Sequence, residues 1–403
     1  MKYNHSTNAH AELHDSAMTE WMTADLTDNN LLRAVVRSPH TISESKLRRL
    51  AENVADWDSL VALADEHRVL PLLFSQLDII GGAVPRSTQQ HLQTEYQRNV
   101  FHSLANAAEL IAVLRTFERE SIQAMPFKGP VLAVSAYHDL SLRPAGDLDI
   151  LIHHRDLRRA TALLQERGYV LQTQIHDDGA PVLRDYYEYH FEREADGMVL
   201  ELRWRLELTQ PRFRRNLGMD WVWPQRRSAM LAGAEVPDMS AETTLLVLCM
   251  HGCKHVWSRL IWICDVARLI RSSPDLDWEK AVREARRQGL WRALALGTLL
   301  AQRIAGAPVP SSVLQLFESD QTACALAEHI EEHLFDAPGS TPHGGIPYNL
   351  QLLSLYDRAW FFLSLDFLRP NERDMAAIAL PKPLHALYYL IRPFRVFLDR
   401  SAR

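Results

Sequence analysis

Between residues 26 and 120, apolar side chains recur every three or four positions, which is the spacing of an amphipathic helix. Proline is favoured at the start of a helix, and apolar residues follow Pro85 at helical spacing as far as Leu114. We therefore predict that residues 26–120 form an N-terminal helical lobe. Residues 1–25 are polar and contain several histidines, so a disordered tail is predicted there.

After residue 120 the pattern changes to short apolar or alternating runs, which are typical of strands. The predicted strands run from Ile122 to Phe127, Asp147 to Ile152, Tyr169 to Gln174, Tyr186 to Glu192 and Met198 to Trp204. The turn residues Ala195-Asp196-Gly197 predict a hairpin between the last two. Helices are expected from Val131 to Tyr137 and from Asp156 to Gly168. Residues 121–236 are thus predicted to form a small α/β core.

Beyond Pro237 the helical spacing returns. It predicts helices from Thr243 to Ile270, from Trp278 to Ala305 and from Ser311 to Leu334. Residues 237–403 are therefore predicted to form a C-terminal helical lobe. The fold class predicted for the chain is α+β, with a small mixed-sheet core flanked by an N-terminal and a C-terminal helical lobe.

Composition excludes several classes of protein. The chain has 44 basic and 50 acidic residues, a net charge of −6, so it has no overall attraction to nucleic acid. Four cysteines in 403 residues do not form a disulfide framework, so reduced thiols and a cytoplasmic location are expected. The N-terminus has no apolar signal core, and no apolar run reaches the roughly 18 residues of a membrane span.

The most specific chemical signal is the pair Asp147 and Asp149, which alternates with Leu148, Ile150 and Ile152. In a strand, alternate side chains share a face, so both carboxylates point one way and the aliphatic side chains point into a core. Two adjacent carboxylates repel each other unless a cation lies between them, and Mg²⁺ prefers such oxygen ligands. This arrangement is typical of phosphoryl or nucleotidyl transfer. The alternative is an exposed strand edge without a function.

Glu201 provides a third acid. It lies between Leu200 and Leu202, so it shares the opposite strand face with Arg203. If this strand pairs beside the strand of Asp147, three carboxylates meet on one sheet surface, as a two-metal transfer site requires. The alternative is that Glu201 only forms an ion pair with Arg203.

Phosphate contacts are predicted for residues that precede the acids. Lys128-Gly129 follows a predicted strand and precedes a predicted helix, so Gly129 would allow close backbone approach and Lys128 would add charge. Arg143 lies just before the carboxylate strand, where its guanidinium could bind a phosphate with two hydrogen bonds. The alternative for Arg143 is a salt bridge to Asp139, Asp147 or another acid.

A polar stripe on the predicted helix from Thr243 to Ile270 adds further candidates. Its members follow spacings of three or four residues and are His251, Lys254, Ser258, Trp262 and Asp265. Lys254 could reach a phosphate, with His251 or Asp265 orienting it. The alternative is a satisfied polar network buried between helices.

Two segments bear on the substrate. The aromatic run from Tyr186 to His190 is either a core strand or a surface that stacks a base or sugar. Several arginines lie between Glu201 and Pro237, and they would attract an anionic acceptor such as RNA if they bordered the site. The alternative is a solvated surface with arginines paired to acids, which we favour.

These residues resemble the bacterial uncharacterised nucleotidyltransferase family of the DNA polymerase β-like nucleotidyltransferase superfamily. The segments that carry the resemblance are Lys128-Gly129, Arg143-Pro144, Asp147-Leu148-Asp149, Gly168-Tyr169 and Glu201-Leu202-Arg203-Trp204. It implies that Asp147, Asp149 and Glu201 are both the metal ligands and the catalytic acids. The chain departs from the pattern at Lys128-Gly129, where a Gly-Ser pair is expected, and at Arg203, where the family often has histidine.

The resemblance implies Mg²⁺-dependent or Mn²⁺-dependent transfer of a nucleoside monophosphate from an NTP such as ATP, with release of pyrophosphate. The nucleotide would be bound by residues that lie before and after the acids, which are Lys128, Gly129, Arg143, His251, Lys254 and Asp265. The acceptor is expected to be a small molecule or a protein, ahead of RNA. The alternative is a nucleotide-binding or scaffold protein that keeps the fold without turnover.

Overall fold

The computed structural model describes residues 28–37, 42–173, 187–206, 217–336, 346–353, 378, 380–381 and 387–392. The predicted disordered tail, residues 1–25, lies outside the described residues. The same is true of residues 207–216, which contain three of the arginines between Glu201 and Pro237.

The first part of the chain is helical, as predicted. Its helices are α1 (Asp28–Val36), α2 (Glu44–Glu52), α3 (Trp57–Glu66), α4 (Leu70–Ile80) and α5 (Arg86–Arg119). Side-chain oxygens of Ser43 and Asp56 accept backbone hydrogen bonds at the starts of α2 and α3, where the first N–H groups have no partner within the helix. Pro85 immediately precedes the 34-residue α5.

The next part of the chain forms a five-stranded mixed sheet. Its elements are β1 (Ala124–Pro126), α6 (Gly129–Leu132, which continues as a π-helical turn over Ala133–Tyr137), β2 (Leu148–Ile152), α7 (Leu157–Glu166), β3 (Val170–Leu171), β4 (Glu188–Arg193) and β5 (Met198–Arg203). The strand order is β1-β2-β5-β4-β3. Only β2 and β5 pair in parallel, and the chain between them contains α7 and the β4–β5 hairpin. The predicted α+β class and the predicted hairpin are confirmed.

The two faces of this sheet differ as the alternation predicts. Leu148, Ile150 and Leu200 are fully buried in a core formed with α5 and α7. The opposite face carries Asp149 and Glu201, which are direct neighbours in the parallel β2–β5 register. Burying the aliphatic face therefore determines which way the carboxylates point.

The remaining described elements are α8 (Met219–Val222), β6 (Arg226–Leu231), β7 (Ala234–Met239), α9 (Ala241–Lys254), α10 (Leu260–Ser272), α11 (Trp278–Gln288), α12 (Trp291–Ala305), α13 (Ser311–Glu318), α14 (Gln321–His333) and α15 (Ile346–Gln351). The β6–β7 hairpin was not predicted from the sequence. The boundaries assigned to the lobes and the core stay predictions. Within the described part of the chain, no helix combines the length and apolar character that crossing a bilayer requires.

The prediction of one continuous helix from Thr243 to Ile270 is wrong, because α9 ends at Lys254 and α10 begins at Leu260. Between them Val256 and Trp257 have positive φ, and the Trp257 side chain turns back into the core. Its ring lies so close to Gly252 that a Cβ there would be 2.4 Å from it. Burial of this large aromatic side chain thus offsets the interruption of the helix.

The helix predicted from Trp278 to Ala305 is likewise two helices, α11 and α12. Gly289 separates them in the left-handed conformation that suits glycine. The helix predicted from Ser311 to Leu334 is also divided, and Asp320 accepts a backbone hydrogen bond at the start of its second part, α14. Apolar spacing continues across such short breaks, so it does not reveal them.

Candidate active site

The three predicted metal-binding acids lie together on the polar face of the sheet, on and just before its inner strands β2 and β5. Asp149 and Glu201 are opposite each other on β2 and β5, and Asp147 precedes β2 by one residue. Carboxylate oxygens of all three lie within 4.8 Å of one another. The parallel pairing of β2 with β5 therefore assembles a cluster that neither strand forms alone.

Asp149 is the most buried of the three acids, and two cations neutralise it. Its Oδ2 lies 2.9 Å from Nζ of Lys128, and its Oδ1 lies 3.3 Å from Nε of Arg203. Burial by itself would raise the pKa of Asp149, but these two positive charges outweigh it and lower the pKa below its ordinary value. Asp149 is therefore ionised at neutral pH.

The pKa values of Asp147 and Glu201 shift in the opposite direction, above their ordinary values. The negative charge of Asp149, with burial, raises the pKa of Asp147. Burial, together with the charges of Asp149 and Glu188, raises the pKa of Glu201 although Arg203 opposes it. The cluster therefore contains uncompensated repulsion between carboxylates, which a bound cation would relieve.

Arg203 forms the ion pair with Glu201 that the sequence left open as an alternative. Its guanidinium also lies 2.8 Å from Oε2 of Glu188. Glu201 thus takes part in both arrangements, since it belongs to the carboxylate cluster and also accepts a hydrogen bond from Arg203.

Glu188 and His190 are site residues that the sequence analysis missed. Both lie on β4, where His190 is opposite Glu201 and Glu188 is opposite Arg203. The His190 ring lies 3.4 Å from Glu188 and 3.6 Å from Glu201, and its hydrogen bond to Glu188 raises its pKa. A signal was present, because both residues alternate with the buried Tyr189 and Phe191 and the hairpin turn sets their register with β5.

Lys128 has a strained backbone. Its φ of 58° and ψ of −146° lie near a region that glycine alone populates readily. Its side chain is only 9% exposed and reaches Asp149 directly. Gly129 follows with φ of 45°, so two consecutive residues carry the positive φ that this turn requires.

Arg143 and Asp265 form a buried ion pair with each other. Nε and one terminal nitrogen of Arg143 donate to the two oxygens of Asp265 at 2.8 and 2.9 Å, and the Tyr137 hydroxyl donates to the same carboxylate at 2.7 Å. Burial alone would lower the pKa of Arg143, but Asp265 raises it. The observed contact is thus the salt bridge that was the alternative to a phosphate contact. The charge of Arg143 still lowers the pKa of Asp147, so the pair lies close to the acids.

His251 and Lys254 lie at the C-terminal end of α9, beside the acid cluster. Burial lowers the pKa of Lys254, while the negative charges of Glu188 and Glu201 oppose this effect. Burial and the charge of Lys128 hold the pKa of His251 well below its ordinary value, so its ring is neutral. Because the helix ends at Lys254, Asp265 does not share one helical face with these residues, and the predicted continuous stripe is wrong.

The cluster fits a divalent cation that prefers oxygen ligands. Its three carboxylates offer only oxygen, and their mutual repulsion favours a positive ion among them. Among the described residues, none donates a hydrogen bond to the buried Oδ1 of Asp149. Asp147, Asp149 and Glu201 are therefore the residues that could hold such an ion.

Two comparisons with known proteins give a match. A family model described as "Uncharacterised nucleotidyltransferase" matches residues 53–306, which include every residue of the cluster. A crystal structure of an antigenic nucleotidyltransferase-like protein from Paracoccidioides brasiliensis is 16% identical over 47% of this chain and 91% of that chain. Its TM-score of 0.29 is too low to support any argument about this chain. No curated protein matches the chain.

Proposed function

This chain belongs to the uncharacterised nucleotidyltransferase family, and from that premise we propose that it transfers a nucleoside monophosphate from an NTP to an acceptor hydroxyl or phosphate. Pyrophosphate would be released, and the reaction would depend on Mg²⁺ or Mn²⁺. The observation that carries the proposal is the register of β2 with β5, which brings Asp147, Asp149 and Glu201 within 4.8 Å of one another.

In this proposal the divalent ion binds at the carboxylate surface that Asp147, Asp149 and Glu201 form together. When bound, such an ion would supply positive charge that stabilises the charge developing during phosphoryl transfer. The ionised state of Asp149 at neutral pH supports its assignment as the principal ligand.

Lys128 and Lys254 are proposed to bind the triphosphate. Both ammonium groups lie beside the carboxylates, Lys128 in direct contact with Asp149 and Lys254 close enough for Glu188 to act on its pKa. Arg203 also faces Asp149, so Lys128 could turn to a phosphate without leaving that acid without a counter-ion. His251 is neutral and adds no charge to the phosphates, so we assign it to orienting a ligand by hydrogen bonding.

Arg143 and Asp265 are proposed to position the active-site residues and not to bind the nucleotide. Their buried two-point pair joins the segment before β2 to α10, and Tyr137 extends it towards α6. We propose that this network positions the loop that carries Asp147, and that Arg143 contributes positive charge without contacting the nucleotide.

The acceptor is proposed to be a small molecule or a protein rather than RNA. Three of the four described arginines between Glu201 and Pro237 contact acids or an aromatic ring: Arg203 is bound to acids, Arg227 forms an ion pair with Asp238, and Arg226 lies over the Trp223 ring. These three contacts reduce the positive charge that is available to the phosphates of an RNA acceptor. The net charge of −6 supports the same ranking.

A catalytically inactive nucleotide-binding or scaffold protein is the second candidate. The observation that favours it is that Lys128 and Arg203 already face both oxygens of Asp149, so the acid is neutralised without a metal. Release of pyrophosphate separates the candidates, because an inactive protein would bind NTP without producing it.

The test is to incubate the purified protein and a cell extract with each NTP labelled at the α-phosphate, and to follow both the labelled product and pyrophosphate. We expect a labelled acceptor with wild-type protein and Mg²⁺, and none with EDTA or with the isosteric Asp149→Asn variant. NTP binding without label or pyrophosphate would favour the inactive candidate. Failure to bind any NTP would refute the proposal.

A further inference from the structure

The guanidinium of Arg203 is enclosed by the acids of the site. Nε lies 3.3 Å from Oδ1 of Asp149, and a terminal nitrogen lies 2.8 Å from Oε2 of Glu188 and donates to Glu201. The side chain is only 7% exposed. Its planar group also lies near the rings of Phe127 and Tyr187, at 5.7 and 5.9 Å from their centroids. Carboxylates and aromatic rings together hold this cation in one place.

The position of Arg203 affects how many divalent ions the site can bind. A transfer site with two divalent ions uses shared carboxylates for both ions and a further acid to complete one of them. Here the further acid is Glu201, and Arg203 contacts both Glu201 and Asp149. A second divalent ion between these two carboxylates would lie against a guanidinium, whose charge is permanent in proteins.

The side of the cluster formed by Asp147 and Asp149 differs from the side that Arg203 occupies. Carboxylate oxygens of Asp147 and Asp149 lie within 4.8 Å of each other, whereas the contacts of Arg203 are with Asp149, Glu188 and Glu201. Lys128 lies 2.9 Å from Oδ2 of Asp149, but it is the residue proposed to bind the triphosphate. The need for a further cation is therefore greatest between Asp147 and Asp149.

We infer that Arg203 is a resident cation in place of a second metal ion, so that the site binds one divalent ion, held by Asp147 and Asp149. Glu201 then holds and orients Arg203 instead of completing an ion. This inference rests on the proposed nucleotidyl transfer and specifies how the charge at its site is supplied.

The test counts Mn²⁺ ions bound per protein in the presence of a non-hydrolysable NTP analogue, from the electron paramagnetic resonance signal of free Mn²⁺. We expect one ion in wild-type protein and in Arg203→Lys, which keeps the positive charge. We expect a second ion, or at least a tenfold gain in affinity for it, in Arg203→Gln. Two ions in wild-type protein would overturn the inference and leave the proposed function standing.

Arg203→Gln leaves Asp149, Glu188 and Glu201 with less positive charge beside them, so its folding is checked by circular dichroism and a second pair of variants is measured. Glu201→Gln is expected to weaken binding of the single Mn²⁺ far less than the loss of a ligand does, because Glu201 adds negative charge within 4.8 Å of the ion's carboxylates but supplies no ligand atom. Asp147→Asn, the matched control, is expected to weaken it at least a hundredfold. Equal losses in the two variants would overturn the inference. Absence of any Mn²⁺ or analogue binding would refute the proposed function and this inference with it.

Discussion

Replacing Lys128 by glycine and by alanine tests whether its backbone strain is real. At φ 58° and ψ −146°, a residue with a Cβ carries a strain of about 1–3 kcal/mol, whereas glycine is nearly free of it. Both replacements remove the same 2.9 Å ion pair with Asp149, so that loss cancels when the two variants are compared. The comparison therefore isolates the effect of one methyl group on the backbone.

Glycine also has a disadvantage, because it loses about 0.5–1 kcal/mol more conformational entropy on folding than alanine does. Subtracting this from the strain leaves the glycine variant about 1 kcal/mol more stable, and at most about 2.5 kcal/mol. Both variants should be less stable than the wild-type protein, since Asp149 keeps only Arg203 as a direct counter-ion.

The assay is urea unfolding at pH 7, with the exposed Arg283 in α11 as the matched control site. There the backbone is helical, so Arg283→Gly should be about 1 kcal/mol less stable than Arg283→Ala. The glycine-minus-alanine difference should thus have opposite signs at the two positions. If glycine is less stable than alanine at both positions by a similar amount, Lys128 is not strained and the reasoning is refuted.

Three further predictions follow from the site and the core. Asp149→Asn should abolish ion-dependent NTP binding while the circular dichroism spectrum is unchanged; binding within threefold of wild type would exclude Asp149 as a ligand. Asp147→Asn should stabilise the metal-free protein at pH 7, because the folded-state pKa of Asp147 is raised and its ionisation opposes folding. That gain should disappear below about pH 4, where Asp147 is protonated in both states, and urea unfolding at pH 7 and pH 3.5 checks the sign. Gly252→Ala should lower the free energy of unfolding by about 1–3 kcal/mol or more, since the added Cβ would lie 2.4 Å from the Trp257 ring. Gly146→Ala, where the nearest atom would be 3.6 Å away, is the control, and equal effects of the two substitutions would contradict the packing argument.

Several features of the fold and of the site could be predicted from short stretches of sequence. The alternation of Asp147 and Asp149 with aliphatic residues predicts both the strand and its polar face, because a half-buried strand must point its apolar side chains one way. Ser43 and Asp56 act at helix starts through hydrogen bonds within three residues of chain. The family resemblance was also available, since its motifs are short segments.

Other features depended on pairing between distant parts of the chain. Arg143 and Asp265 are 122 residues apart, and no periodicity indicates that they form a buried pair instead of contacting a phosphate. Glu188 and His190 entered the site because β4 pairs with β5 in one particular register. The interruption of the helix after Lys254 reflects the burial of Trp257 against Gly252, which is a packing effect.

The sequence by itself thus determined the types of most elements and the direction of the carboxylates, because these follow from side-chain periodicity and residue type within a few positions. Its short motifs also carried the family resemblance. Only the tertiary structure decided the parallel pairing of β2 with β5, the placement of Arg203 among three acids and the strained backbone of Lys128. The physical reason is that ion pairs and strand pairs are stabilised by contacts between residues that are far apart in the sequence. They depend on which distant residues the fold brings together, and a one-dimensional pattern does not contain those distances.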